Sequence, residues 1–149
     1  MTSTETFRIP RHKMHVPIAR QHTGKTLTAW GVTGESADVV LLLANELVTN
    51  AVTHCRTSSA QVRVTLTLHG TELLLEVADP DRDRLPRLHA SGADEEGGRG
   101  LALVAALADA WGCRQEPYVK CVWARLTVTE EAAAHVPATV VRPYVPAGG

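Results

Sequence analysis

Apolar and polar residues alternate most cleanly between positions 62 and 69. Val62, Val64, Leu66 and Leu68 are interleaved with Arg63, Thr65, Thr67 and His69, the pattern of a strand with one buried face. Gly70 and Thr71 follow, and glycine at the first position of a two-residue loop suits a type II′ turn. The returning strand, 72–78, sets Leu73 against Leu68, Leu75 against Leu66 and Val77 against Val64. All three pairs fall on one face, so turn and pattern agree on the register. A second pair of strands is predicted at 111–115 and 121–128, joined through 116–120, with Val122, Ala124, Leu126 and Val128 sharing a face. Residues 7–9, before Pro10, predict a short edge strand that the proline ends.

Two helices are predicted ahead of the first hairpin. Across 15–30, Val16, Ala19, Thr23, Leu27 and Trp30 recur at steps of three and four, with Pro17 in the first turn and Gly31 just past the end. A longer helix runs from Ser36 or Ala37 to His54. Its first half, 39–44, is apolar on all sides and reads as buried. In its second half Leu47, Val48, Ala51 and Val52 keep one side, while Asn45, Glu46, Thr49, Asn50, Thr53 and His54 gather on the other.

Beyond Asp79 the prolines at 80 and 86 and the alternating charges between them stop the strand. The stretch 81–96 is polar and without period, and a connection of that length in a compact domain is a lid or a disordered insert. It closes on Gly97-Gly98-Arg99-Gly100, and the apolar run 101–108 then predicts a short buried helix. Glycines at the head of a helix leave bare N–H groups at the positive end of its dipole, which makes an anion site. The last segment carries Pro137, Pro143 and Pro146, so one domain over 1–128 is expected, followed by an extended tail over 129–149.

Composition narrows the partners. A chain of 149 residues with 44% hydrophobic content suits a single domain with a sizeable core. A formal charge of −1, with lysines and arginines scattered, gives no field for a polyanion, so no nucleic-acid partner is expected. Cys55, Cys113 and Cys121 are odd in number and lack a C-x-x-C spacing. This argues against a disulfide framework or a zinc site and for free buried thiols in a reducing cytoplasm. No N-terminal charged-then-apolar segment is present, and no apolar stretch approaches the roughly 20 residues of a membrane span, so a cytoplasmic protein without membrane contact is expected.

Glu46 and Asn50 stand one helical turn apart. The amide oxygen can complete the oxygen shell of a Mg²⁺ ion, which otherwise keeps waters and takes phosphate oxygens. The carboxylate can order a water or accept a proton from an attacking hydroxyl. The plainer alternative is the solvated face of an amphipathic helix, and the glycines at 97–100 tilt the balance toward a phosphate site.

Helix, helix with a Glu/Asn stripe, hairpin ending in Asp, lid, glycine-led helix, hairpin: this order resembles the Bergerat-type ATP-binding fold of the GHKL superfamily. Glu46 to His54 looks like its N box, Asp79 with the segment to Pro86 like a reduced first glycine box, and Gly97-Gly98-Arg99-Gly100-Leu101 like the second. The small size, the start near Phe7 and the ending Ala110-Trp111-Gly112 to Lys120-Cys121-Val122-Trp123 resemble the short anti-sigma factor serine kinases of actinobacteria. The resemblance implies an α/β two-layer sandwich, a mixed, mostly antiparallel sheet covered on one face by three helices. It implies Asn50 on Mg²⁺, Glu46 as the base for a serine hydroxyl, Asp79 on the adenine amino group and the backbone at Gly97, Gly98, Arg99, Gly100 and Leu101 on the ATP phosphates. It also implies an anti-anti-sigma (STAS-type) protein and a sigma factor as partners, and a homodimer. One departure stands out: Asp81-Arg82-Asp83-Arg84 occupies the place where the first box normally carries Gly-x-Gly.

Two functions compete on these residues. One is a Mg-ATP-dependent Ser/Thr kinase, for which a metal, a lid and one carboxylate are sufficient parts. The other is a partner-switching module whose nucleotide shapes a docking surface without turnover. The catalytic half of a two-component histidine kinase fits poorly, because the chain has no room for a dimerisation helix pair with a phosphoacceptor histidine.

Overall fold

The computed structural model describes residues 2–54, 61–80 and 96–128. Five strands and three helices alternate along them: β1 (Thr2–Pro10), α1 (Val16–Ala29), α2 (Gly34–His54), β2 (Gln61–His69), β3 (Glu72–Asp79), α3 (Glu96–Leu107), β4 (Ala110–Gln115) and β5 (Lys120–Thr127), with a 3₁₀ turn at Lys13–His15. The strands form one sheet in the order β1-β2-β3-β5-β4. The mostly antiparallel sheet expected from the sequence is antiparallel at each of its four pairings. The predicted hairpin register is the observed one: Leu68 faces Leu73, Leu66 faces Leu75 and Val64 faces Val77. Gly70, at φ 63, supplies the left-handed conformation that the first turn position requires.

Burial follows the two-residue period. Val62, Val64, Leu66 and Leu68 of β2, Leu73, Leu75 and Val77 of β3, and Val122, Ala124 and Leu126 of β5 are buried on one face, beneath the helices. Phe7 and Ile9 continue that face onto β1. β1 is an edge strand as expected, but it runs over nine residues rather than three. Its extension, Thr2 to Thr6, is polar and so gives no apolar alternation; Ser3 and Glu5 occupy inward positions. Thr2 and Thr6 hydrogen-bond across to His69 and Thr65 at 2.6 and 3.1 Å.

α1 ends in a left-handed cap. Gly31 has φ 77, its N–H bonds to the Thr28 carbonyl at 3.1 Å, and the Val32 N–H reaches back to the Leu27 carbonyl at 2.9 Å. Trp30 and Val32 are buried there and lock the turn into the core.

Two expectations of complete burial need correction. In α2, Val40, Leu43 and Ala44 are buried, but Val39 and Leu41 are half-buried and Leu42 is 40% exposed. A helix in a two-layer fold has a single layer beneath it, so its far side meets water however apolar it is. In α3, Val104 is buried, whereas Ala102, Ala105, Ala106 and Leu107 are exposed. The alanines there serve helix propensity rather than the core. The expected lid, 81–96, lies outside the described residues except for Glu96, which begins α3, and the expected tail, 129–149, and Cys55 lie outside them too.

Candidate functional site

The polar stripe of α2 is only partly in water. Leu47, Val48, Ala51 and Val52 are buried, and Asn45, Glu46, Thr49 and Asn50 on the other side are half-buried, while Thr53 is exposed. A fully solvated face would not cover its polar side chains in this way. α2 is flanked by α1 and α3 and packs on β2, β3 and β5. The Arg20 guanidinium of α1 donates to the Asn45 amide oxygen at 3.3 Å, tying the stripe to its neighbour. Glu46 and Asn50 thus lie side by side at the rim of the core, a carboxylate and an amide one turn apart.

Asp79 closes β3 at the end of the helix-packed face. It is 2% exposed, far below what an aspartate at a strand end ordinarily shows. Directly across on β5 lies Lys120, 4% exposed, with Nζ 3.7 Å from Asp79 Oδ2. A buried carboxylate is costly unless charge or hydrogen bonds compensate it, and this ammonium is such a compensation.

In the sequence Lys120 reads as the last residue of the connection at 116–120 and as part of the ending that carries the family resemblance, with no role of its own. A signal was nonetheless present. The alternation Val122, Ala124, Leu126, carried back by two, puts position 120 on the inner face, and the observed pairing of Val77 with Val122 sets Asp79 against Lys120.

Gly97, Gly98, Arg99, Gly100 and Leu101 lie within α3 itself, which starts at Glu96, rather than in a loop before it. Glycine has no Cβ to obstruct either arrangement, so sequence alone does not set the helix start here. The N–H groups of the first turn of a helix have no acceptor within it, which leaves those of Glu96, Gly97 and Gly98 for other partners. The structure thereby brings Glu46 and Asn50 onto a helix that touches both the Asp79 strand and α3.

The two described cysteines are free and lie on opposite faces of the sheet. Cys113 pairs with Val122 on the helix side and Cys121 with Arg114 on the other, which rules out a cross-strand disulfide between them. Cys121 is buried as expected, but Cys113 is exposed, because β4 is an edge strand that α3 covers incompletely. Burial pushes the Cys121 thiol up to about 11, against a downward pull from the Arg114 guanidinium. The Cys113 thiol is also raised, by desolvation first; Lys120 opposes that shift and Asp79 adds to it, so the buried pair is within electrostatic reach of β4. Arg114 itself is held in its charged form by Glu76 at 2.7 Å and Glu116 at 3.0 Å.

Among the described residues no group of three or more His, Cys, Asp or Glu side chains gathers to hold a metal. An amide oxygen such as that of Asn50 is a hard donor, one that leaves most of a cation's shell to water or a ligand. That donor set fits Mg²⁺ and not a zinc- or iron-type site. None of the described helices is long and apolar enough to cross a membrane.

Comparison with known proteins identifies the family and the fold. The profile of the histidine kinase-like ATPase domain matches residues 9–126. No curated protein matches the chain. Among solved structures, the RsbU and RsbW domains of Rv1364c from Mycobacterium tuberculosis superpose with a TM-score of 0.62 at 16% identity, over 83% of this chain and 32% of that one. The histidine kinase domain of the blue-light activated histidine kinase from Erythrobacter litoralis gives 0.52 at 17% identity, over 87% of this chain and 70% of that one. The chain thus spans about a third of the length of the Mycobacterium protein, and at these identities the likeness is one of fold.

Proposed function

The chain belongs to the histidine kinase-like ATPase domain family, and on that footing we propose that it binds Mg-ATP on the helix-packed face of its sheet and acts as a serine/threonine protein kinase of the anti-sigma type. The observation that carries the reading is Asp79. Its carboxylate is 2% exposed at the end of β3, a strand on which the helix bearing Glu46 and Asn50 packs. A strand-end carboxylate held in the interior beside an ammonium suits recognition of a base amino group far better than it suits the surface of a turn.

In this reading Asp79 accepts a hydrogen bond from the adenine amino group. The backbone N–H groups at Gly97 and Gly98, at the head of α3, hold the phosphates, with Arg99 adding positive charge and Gly100 and Leu101 continuing the helix behind them. Asn50 gives its amide oxygen to Mg²⁺, which supplies charge neutralisation at the phosphoryl oxygens. Glu46 takes the proton of a partner's serine hydroxyl as that oxygen bonds to the γ-phosphorus and the bond to the ADP oxygen breaks. The partner is an anti-anti-sigma protein of the STAS type, whose phosphorylation frees a homodimer of this chain to hold a sigma factor. The RsbW domain named for the Mycobacterium structure is in keeping with this assignment.

Calorimetric titration with ATP and Mg²⁺ tests the site. Wild-type binding that weakens in both Asn50→Ala and Asp79→Asn is expected, and no binding at millimolar ATP would sink the reading. Glu46→Ala is expected to retain ATP and lose phosphotransfer to the partner. A non-catalytic partner-switching module is favoured by one observation, the Asp81-Arg82-Asp83-Arg84 stretch where the first box carries glycines. ATP binding without any phosphoserine on a cognate partner would decide for that second reading.

A further inference from the structure

Three apolar rungs cross between β3 and β5 on the helix-packed face: Leu73 with Leu126, Leu75 with Ala124, and Val77 with Val122. The fourth rung is Asp79 with Lys120, and its members are as deeply buried as those of the other three. Another apolar rung would fill this place without electrostatic cost, because a buried ion pair generally adds nothing to stability over apolar residues of similar volume. Stability alone therefore does not account for the ionic rung.

Its geometry indicates a use. The 3.7 Å between Nζ and Oδ2 exceeds the roughly 2.7–2.9 Å of a tight charge-assisted hydrogen bond. Ammonium and carboxylate stand side by side, a donor next to an acceptor, where β3 ends and β5 begins. The ammonium has three N–H donors and the carboxylate several lone pairs, so each can serve the other and a third group at once.

We propose that Lys120 is a second base-reading residue of the nucleotide site, donating to ring nitrogen N1 of adenine while Asp79 accepts from the neighbouring amino group. The inference rests on the ATP-binding reading above. The Watson–Crick edge of adenine presents a donor, the amino group, beside an acceptor, N1; the rung presents an acceptor beside a donor, in complementary order. Guanine in the same pose would set its carbonyl oxygen against the Asp79 carboxylate and its N1–H against the ammonium. Both contacts would be repulsive, so the rung makes the site selective for adenine through two groups rather than one.

The test is a comparison of Mg-ATP with its 1-deaza analogue, in which N1 is replaced by C–H, on the wild type, on Lys120→Met, and on the double variant Asp79→Asn/Lys120→Met. Wild type is expected to favour ATP roughly tenfold, the typical penalty for leaving a charged donor without its acceptor. Variants lacking the lysine are expected to bind the two nucleotides within about a factor of two of each other, since nothing remains to lose. The ratio is internal to each protein, so a general loss of affinity does not imitate the effect. The double variant leaves neither charge of the rung buried alone and carries the test if Lys120→Met does not fold. Equal affinities in wild type, or a preference that persists without the lysine, would overturn the role of Lys120 while leaving ATP binding intact. Absence of ATP binding by the wild type would instead overturn the nucleotide reading along with it.

Discussion

Asp79→Leu should be among the most damaging single substitutions in the sheet, and a second substitution should repair it. The change leaves the Lys120 ammonium, 4% exposed, without the carboxylate 3.7 Å away. Removing one partner of a buried pair typically costs about 3–5 kcal/mol, because the remaining charge is still out of water. Lys120→Met imposes a comparable cost on Asp79. The double variant Asp79→Leu/Lys120→Met extends the three apolar rungs by a fourth, and such replacements are neutral or stabilising. The expected coupling between the two sites is therefore several kcal/mol, well beyond the roughly 0.5 kcal/mol by which independent sites depart from additivity. Urea unfolding without nucleotide, followed through the fluorescence of buried Trp30, measures all four proteins. At about 2–4 °C per kcal/mol for a chain of this size, each single variant should melt on the order of 10 °C below wild type. Single costs under about 1 kcal/mol that simply add would show that water reaches the rung, and the argument from burial would fail.

Alkaline pH should weaken the fold through Cys121. Its thiol is raised from 9.0 to about 11 in the folded chain, so the stabilisation it gives is complete below pH 9 and is lost as pH climbs toward 11, where the unfolded chain has already released its proton. Wild type should lose on the order of 2 kcal/mol more than Cys121→Ala across that interval, and parallel pH profiles would contradict the assignment. At pH 8 a thiol reagent should modify Cys121 in the folded protein on the order of a hundredfold more slowly than in the unfolded chain, read by mass spectrometry of each cysteine. Gly31→Ala should cost about 1–2 kcal/mol in the same urea assay, since φ 77 forces a Cβ into the left-handed region; an unchanged midpoint would mean that the cap relaxes.

The sheet was far more legible in the sequence than the site. Val62 to Leu68 announce themselves because one face is buried and the other wet, and Gly70-Thr71 then leaves one register open. β1 was mostly hidden, since Thr2 to Thr6 pair through backbone and hydroxyl groups and need no apolar alternation. α3 and the outer side of α2 looked buried because residue type reports helix propensity and hydrophobicity alike, and neither records how many layers a fold has. Glu46 and Asn50 stand out in the sequence by type and spacing, and Asp79 by its place in the family resemblance. Lys120 is harder to find, because a lysine before a strand normally reads as solvated; the alternation of β5 points it inward, and the register with β3 then sets it against Asp79.

The strand order carries a consequence for how the molecule assembles. β2 and β3 close locally, over a two-residue turn, while β5 reaches β3 only after α3 and β4 have been traversed, with Thr127 returning beside Glu72. Pairing over such separations is paid for late, so the β4–β5 hairpin arrives at an edge that is already formed. The Asp79–Lys120 rung lies along that seam. A ligand gripping both of its members would act as a staple across the last joint to close: it would slow the opening of the molecule and leave the rate of its folding almost untouched.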